Sequence, residues 1–313
     1  MKIAYLILAH DNPFHLRRLV KAITSPSSVC FIHIDLKSNI VDFLTIASES
    51  VVLIDERLAV YWGDFSMVEA TLVLIRTALA DPRHFDRLVL LSGTDYPLRS
   101  VSYIENFFRR YPADEFINLV QMPAKAERKP LERLTHRWPR PPAPLVVRLF
   151  RRIMRRFGIS PISRYHTYKR YLGHLVPYAG DQWWALSRAA CQHIQIFVDQ
   201  EPKLIRFFQN TFCPDEMFFQ IILGNSSFMS RIRRNVTYVD WFSEDRHPAW
   251  ISEEHLDDLF RSDLSFKPSD WYGAGKLLFA RKFSDAHTHL VNSVDRRIRE
   301  REQLGDEQRK ESA

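Results

Sequence analysis

The sequence predicts an α/β fold built around a doubly wound, mainly parallel sheet. Two apolar runs, residues 3–9 and 29–34, flank a segment with helical spacing of apolar residues at 14–23. The same alternation continues as a strand, a helix and a strand at 51–54, 66–79 and 88–91. Continuous apolar strands separated by helices are typical of parallel sheets that are covered on both faces. We therefore expect one layer of strands between two layers of helices.

Ligands of such sheets bind beyond the carboxyl ends of the strands. Polar residues follow three of the predicted strands there, at His10-Asp11, at Asp35 and at 92–95, and we expect Asp35 to be a site residue. No G-x-G-x-x-G follows a strand, and residues 270–277 lack the first glycine and the Ser/Thr of a P-loop. No two aspartates are separated by one residue, so the D-x-D pattern that holds a metal on a nucleotide diphosphate is absent.

The second half of the chain predicts a strand and helix over 180–198, a helix that begins at Pro214, and a strand over 236–241. Proline suits the first turn of a helix, and Asp215 and Glu216 would then lie in that turn, where acids suit the helix dipole. From these residues alone Glu216 has two interpretations. It is a dipole-stabilising acid on a solvated turn, which is the commoner case, or a general base at the floor of a pocket.

The net charge of +7 is concentrated in one segment. Residues 125–170 hold 14 lysines and arginines and two acids, so the segment carries +12 and the remainder −5. This balance favours an anionic ligand or membrane surface and makes a general nucleic-acid coat improbable. Within the segment, residues 146–157 place apolar side chains on one helical face and arginines on the other. Such a helix either lies on an anionic bilayer or packs on the domain, and the segment could also form part of an acceptor site.

Three features of the sequence indicate the cellular compartment of the protein. The three cysteines are odd in number and lack metal-ligand spacing, which favours a reducing environment over a disulfide scaffold. The first residues predict a strand and not a signal peptide, and no apolar run is long enough to cross a bilayer. We expect a cytoplasmic protein that is either soluble or peripheral on the inner face of the membrane, with a charged, solvated tail over 291–313.

Seven segments, in order, resemble the core-2/I-branching β-1,6-N-acetylglucosaminyltransferases and the related peptide O-xylosyltransferases. They are IAYLILAH at 3–10, FIHIDLKS at 31–38, VYWG at 60–63, LSGTDYPL at 91–98, GDQWW at 180–184, CPDE at 213–216 and FARKF at 279–283. The resemblance is weak over 121–177. The sequence is thereby divided into a nucleotide-binding half at 1–120, a basic Pro-rich insert at 121–177, a catalytic and acceptor half at 178–290, and the tail.

The resemblance implies a GT-A-like fold and an inverting, metal-independent transfer of a sugar from a UDP-sugar, with no cofactor. It implies Glu216 as the catalytic base, Arg281 and Lys282 as the cations on the diphosphate, and Trp241 with Asp240 at the acceptor. The other implied UDP-sugar contacts are Leu8, Asp35, Val60, Tyr61, Trp62, Gln182 and Trp183. GlcNAc and xylose are the donor sugars it favours, and the acceptor would be a glycan, lipid-linked or peptide hydroxyl in glycan or polysaccharide biosynthesis.

These roles agree with the chemistry. Inversion needs one carboxylate to deprotonate the acceptor, and a diphosphate without a metal clamp needs fixed cations. Two other functions compete. A peripheral membrane or nucleic-acid binding protein would use residues 125–170, and a glycoside hydrolase would need two carboxylates facing one bond. Asp215 and Glu216 are adjacent on the predicted helix and would point in different directions, which disfavours hydrolysis.

Overall fold

The computed structural model describes residues 1–138, 140, 168–241 and 248–311. Its strands are β1 (Ile3–Ala9), β2 (Ser28–Ile34), β3 (Val51–Leu53), β4 (Arg87–Ser92), β5 (Asp95–Pro97), β6 (Glu115–Ile117), β7 (Val120–Gln121), β8 (Tyr178–Ala179), β9 (Trp184–Ser187), β10 (Ile232–Arg233), β11 (Thr237–Val239), β12 (Ser265–Phe266), β13 (Gly275–Lys276) and β14 (Phe279–Arg281).

The helices surround these strands. They are α1 (Pro13–Ile23), α2 (Ser66–Ala80), α3 (Val101–Arg110), α4 (Glu132–Thr135), α5 (Tyr168–Leu172), α6 (Arg188–Gln200), α7 (Pro202–Phe208), α8 (Phe218–Gly224), α9 (Glu253–Arg261) and α10 (Thr288–Glu311). Short 3₁₀ turns occupy Ile40–Ile46, Pro214–Glu216, Met229–Arg231 and Asp285–His287.

Seven strands form the main sheet in the order β10-β6-β9-β4-β1-β2-β3. The pairs β1·β2, β1·β4, β2·β3 and β10·β6 are parallel, whereas β9 runs antiparallel to both β4 and β6. A second, three-stranded sheet has the order β11-β14-β5. The mainly parallel sheet confirms the predicted α/β fold class.

The central strand β1 is buried along its whole length because both faces of the sheet are covered. Leu6 and Leu8 belong to one apolar cluster, which includes Leu72 of α2. Tyr5 and Ile7 belong to the other, which includes Leu16 and Leu19 of α1. Successive side chains of a strand point to opposite faces, so one continuous apolar run supplies both cores.

The predicted helix at Pro214 is wrong in its first turn. Pro214–Glu216 is a 3₁₀ turn, Met217 breaks the helical geometry with φ −137°, and the α-helix begins at Phe218. The Cys213 N–H donates to the Gly63 carbonyl at 3.0 Å and holds the entry of the turn in place. A tertiary contact therefore overrides the local preference that Pro214 and its acids create.

The predicted strand at the start of 180–198 is shorter than expected, because it begins at Trp184. Residues 180–183 form a loop, in which the Gly180 N–H donates to the Glu216 carbonyl at 2.9 Å. A Cβ on Gly180 would lie 1.8 Å from the Asn118 carbonyl oxygen, so only glycine permits this close approach. The loop is thus tied directly to the turn that carries Glu216.

The basic segment is described only in part. The amphipathic helix expected at 146–157 lies outside the described residues. Arg140 pairs with Glu69 at 2.6 Å, so at least one cation of the segment binds the domain itself. Strands from both predicted halves share one sheet, since β9 and β10 join β1–β4 and β6. Among the described residues, no helix is both long and apolar enough to span a bilayer.

Candidate active site

A cavity of about 210 Å³ lies beyond the carboxyl ends of β1, β2 and β4, where the sequence predicted it. Ten of the twelve predicted site residues line it, namely Leu8, Asp35, Val60, Trp62, Gln182, Trp183, Glu216, Trp241, Arg281 and Lys282. The structure therefore brings together side chains that are more than 270 positions apart in the sequence. We call this space the first cavity.

One wall of the first cavity contains Asp35, which follows β2. Its carboxylate accepts from the backbone N–H of Lys37 at 2.9 Å and pairs with the Lys37 ammonium at 2.6 Å. The same ammonium donates to the Val60 carbonyl and lies 4.4 Å from the centre of the Tyr61 ring. Tyr61 does not line the cavity and contacts Lys37 instead. Lys37 was not among the predicted site residues, although it lies in the FIHIDLKS segment.

Arg281 and Lys282, at the end of β14, also line the first cavity. Arg281 lies opposite Asp95 in the antiparallel register of β14 and β5, with Nε 3.4 Å from Oδ1 of Asp95. Its guanidinium also lies 4.0 Å from the Trp183 ring centre. Lys282 Nζ is 5.8 Å from the Trp250 ring. These aromatic contacts fix two cations beside the cavity.

Burial makes both cations costly to keep charged. Burial lowers the pKa of Arg281, and Asp95 partly offsets that shift. Burial also lowers the pKa of Lys282, and the neighbouring Arg281 charge lowers it further. Burial in turn raises the pKa of Asp95 to about 6, against the opposing charge of Arg281. Arg281 and Lys282 thus form a concentrated positive charge for which an anionic group is the natural partner.

Glu216, in the 3₁₀ turn Pro214–Glu216, also lines the first cavity and pairs with two cations that its sequence motif did not indicate. Its carboxylate accepts from Lys129 Nζ at 2.5 Å and from the Arg133 guanidinium. Lys129 also lies 3.7 Å from Asp181. Burial raises the pKa of Glu216, but the charges and hydrogen bonds of Lys129 and Arg133 outweigh it and hold the pKa below the ordinary range.

The excess of cations over 125–170 was the sequence feature that could have indicated Lys129 and Arg133 as partners of Glu216. It was interpreted instead as a membrane or acceptor surface. A cation that becomes buried needs a carboxylate beside it, and the segment itself has few. Glu216 is the carboxylate that pairs with Lys129 and Arg133. The described part of the segment supplies Lys129 and Arg133 to the site. Arg133 lies on α4, and Lys129 lies in the loop between β7 and α4.

A second cavity of about 500 Å³ adjoins the first, and Glu216, Asp181, Val239 and Trp241 line both. Trp271 and Tyr272 also line the second cavity. Asp240, predicted at the acceptor, lines neither of these two cavities and lies 3.0 Å from His255 Nε2. Glu216 therefore borders both cavities.

Within the described part of the chain, no group of three or more His, Cys, Asp or Glu side chains is arranged to hold a metal ion. The three cysteines, Cys30, Cys191 and Cys213, are buried and unpaired with one another.

Comparison with known proteins places this site in a family. The family model described as "Core-2/I-Branching enzyme" matches residues 3–262. The chain is similar to xylosyltransferase oxt of Drosophila melanogaster, with 23% identity over 93% of this chain and 32% of that protein. It is also similar to xylosyltransferase 1 of Rattus norvegicus, with 25% identity over 94% of this chain and 35% of that protein. The chain thus spans about a third of the length of these relatives.

A solved structure of mouse xyloside xylosyltransferase 1 aligns with 89% of this chain and 97% of that chain, at 11% identity and a TM-score of 0.34. A likeness at this level carries no argument about function. The family model covers most of the chain and includes the segments that form β1, β2, β4 and the Glu216 turn. On that ground, the chain belongs to the core-2/I-branching enzyme family, as its sequence motifs predict.

Proposed function

We propose that the protein is an inverting glycosyltransferase that moves a sugar from a UDP-sugar to an acceptor hydroxyl without a metal ion. The observation that carries the proposal is that Glu216 lines one cavity together with Asp35, Arg281 and Lys282. Family membership and the xylosyltransferase relatives support sugar transfer. GlcNAc and xylose remain the favoured donor sugars.

In the proposed reaction, Glu216 takes the proton of the acceptor hydroxyl while that oxygen forms a bond to the anomeric carbon. The bond from the anomeric carbon to the β-phosphate oxygen breaks, and its electron pair leaves with UDP. Attack opposite the leaving group inverts the anomeric centre, which gives a β linkage from an α-linked donor. One carboxylate is sufficient for this chemistry.

The cations beside the first cavity have the role that a metal ion has in other transferases. Arg281 and Lys282 would stabilise the charge that develops on the diphosphate as the sugar departs. Asp35 would accept a hydrogen bond from the uridine, once Lys37 turns from it. The second cavity also borders Glu216 and would hold the acceptor, whether that is a glycan, a lipid-linked sugar or a peptide hydroxyl.

UDP is expected to stabilise the protein, and EDTA is expected to leave that stabilisation intact. A ligand at a hundred times its Kd adds about 2.7 kcal/mol to the free energy of unfolding, which should raise Tm by roughly 3–5 °C. The measurement is a thermal melt with UDP, with and without EDTA, and with uridine as the control that lacks phosphates. No shift with UDP, or a shift that EDTA abolishes and Mn²⁺ restores, would contradict the proposal.

The competing binding function predicts a different result from the same protein. A peripheral membrane or nucleic-acid module would bind anionic vesicles or RNA with a strong dependence on salt and would gain no stability from UDP. Of the cations in 125–170, Lys129 and Arg133 pair with Glu216, which argues for a role within the site, and Arg140 pairs with Glu69 of α2.

Replacing Arg133 with methionine is expected to move the acid limb of the pH–activity profile to higher pH. Arg133 lowers the pKa of Glu216, so its removal raises that pKa toward the ordinary range. Only the ionised carboxylate accepts a proton, so activity should then fall at a pH where the unmodified enzyme is still active. The measurement is kcat/KM for UDP-sugar turnover from pH 4 to 8. Arg137→Met, an exposed change in the same segment, is the control and should leave the profile in place.

A further inference from the structure

The loop of one β-hairpin forms part of the wall of the second cavity. Strands β12 and β13 pair antiparallel, and the loop between them, 267–274, supplies Ser269, Asp270, Trp271 and Tyr272 to the cavity lining. The hairpin lies outside the seven motif segments and outside residues 3–262, which the family model matches. The family resemblance therefore gives the hairpin no role, and its role has to follow from its own contacts.

A largely buried arginine holds this loop against the rest of the domain. The side chain of Arg234, which follows β10, is 9% exposed. Its guanidinium donates to the Gly273 carbonyl, lies 3.6 Å from the Asp270 carboxylate and lies 3.3 Å from the centre of the Phe266 ring. The loop is thus held at three points, which sets the position of Trp271 before a ligand binds. A contact that is ordered in advance lowers the entropic cost of binding.

Aromatic side chains make up much of the wall of the second cavity. Five of its lining residues are aromatic, namely Tyr238, Trp241, Phe266, Trp271 and Tyr272. Trp271 is 42% exposed, so part of its ring is accessible to a ligand. A sugar ring presents a face of C–H groups whose hydrogens are slightly positive, and the face of an indole ring is slightly negative. A sugar can therefore stack on Trp271 while its hydroxyl groups reach polar side chains of the cavity.

The charges of the second cavity favour a neutral ligand. Among the described residues that line it, four are cations and four are carboxylates, namely Arg128, Lys129, Arg133 and Arg234, and Glu127, Asp181, Glu216 and Asp270. Lys129 and Arg133 pair with Glu216, and Arg234 pairs with Asp270. An anionic ligand would have to compete with these carboxylates for three of the four cations. A neutral ligand leaves the ion pairs in place.

We infer that the second cavity binds a neutral sugar ring of the acceptor stacked on Trp271, so that the hairpin of β12 and β13 selects a glycan over a peptide. The inference rests on the proposed function and names the acceptor class. A serine side chain of a peptide has no flat face of C–H groups to lie on Trp271. The hydroxyl groups of a stacked sugar would lie in the cavity that Glu216 also lines.

The first test measures sugar transfer from the preferred UDP-sugar to probes of different chemistry. The neutral probes are the methyl glycosides of glucose, galactose, mannose, xylose and N-acetylglucosamine, and the acidic probes are methyl glucuronide and methyl galacturonide. The peptide probe is Gly-Ser-Gly with an acetylated and an amidated end. We expect transfer to at least one neutral glycoside, weaker transfer to the acidic glycosides and none to the peptide. Transfer to the peptide, a preference for the acidic glycosides, or transfer to no probe would overturn the inference.

The second test removes the stacking contact. Trp271→Ala should raise KM for the accepted glycoside at least about tenfold. KM for the UDP-sugar should stay within about twofold, because Trp271 does not line the first cavity. Trp271→Phe keeps an aromatic face and should recover most of the loss, whereas Trp271→Leu, which is apolar but not aromatic, should not. Phe14→Ala is the control, because Phe14 is an exposed aromatic side chain that lines neither cavity.

The proposed function has a separate measurement, which is slow hydrolysis of UDP-sugars by the unmodified protein without an acceptor. If the unmodified protein hydrolyses a UDP-sugar but Trp271→Ala leaves KM for the glycoside unchanged, this inference fails and the proposed function stands. Full recovery by Trp271→Leu would likewise overturn the stacking contact. If the unmodified protein hydrolyses no UDP-sugar and transfers none, the proposed function fails and this inference fails with it.

Discussion

Replacing Glu216 with glutamine is expected to lower the rate of sugar transfer about 10²–10⁴-fold, which is the usual contribution of general-base assistance. Glutamine keeps the size of the side chain and can still accept a hydrogen bond from Lys129, but it cannot take the acceptor proton. UDP binding should persist, because the proposed contacts with the uridine and the diphosphate are made by Asp35, Arg281 and Lys282 and not by Glu216. The measurement is UDP release from the preferred UDP-sugar in single-turnover conditions, together with the Kd for UDP.

The matched control for this prediction is Glu132→Gln. Glu132 is exposed and lies next to Arg133 on α4, so the change alters the charge near the site without touching the cavity. It should leave turnover within about twofold. A Glu216→Gln protein that binds UDP and turns over at a near-normal rate would remove the base assignment. A protein that binds no UDP would show that Glu216 has a structural role as the counter-charge for Lys129 and Arg133.

Replacing Arg281 with methionine is expected to lower both stability and turnover. Asp95 is fully buried, and without Arg281 its carboxylate has no cation within salt-bridge distance among the described residues. Removing one partner of a buried ion pair lowers the free energy of unfolding by about 3–5 kcal/mol. Turnover should fall about 10²–10³-fold, because the diphosphate loses one of its two fixed cations. Urea unfolding measures the first effect and donor hydrolysis the second.

The double change Arg281→Met with Asp95→Asn separates these two effects. It removes both buried charges, so most of the lost stability should return, whereas turnover should stay low because the cation is still missing. Arg233→Met is the control for an exposed pair, since Arg233 is half exposed and lies 3.4 Å from Asp114. The Arg233→Met change should lower the free energy of unfolding by less than about 1 kcal/mol. Recovery of turnover in the double variant would show that Arg281 acts only as a structural partner of Asp95.

The sheet and the position of Asp35 in the first cavity could be predicted from the sequence because they follow from local patterns. The apolar runs of β1 and β2 and the helical spacing of α1 and α2 each lie within about fifteen residues. Because parallel strands end at one edge of a sheet, the position of Asp35 follows directly from the end of β2. The family motifs added Arg281, Gln182 and Trp183 to the predicted site residues, and all three line the first cavity.

The geometry at Glu216 was decided only by the tertiary structure. Pro214 favours an α-helix, but residues Pro214–Glu216 form a 3₁₀ turn. At the entry of this turn the Cys213 N–H donates a hydrogen bond to the Gly63 carbonyl. The cations that lower the pKa of Glu216 lie more than 80 residues away. Local composition fixes which segments become strands and helices because their hydrogen bonds and buried faces are close in sequence. Which charges meet at the end of a sheet depends instead on how distant loops pack, and that interaction has no periodicity along the chain.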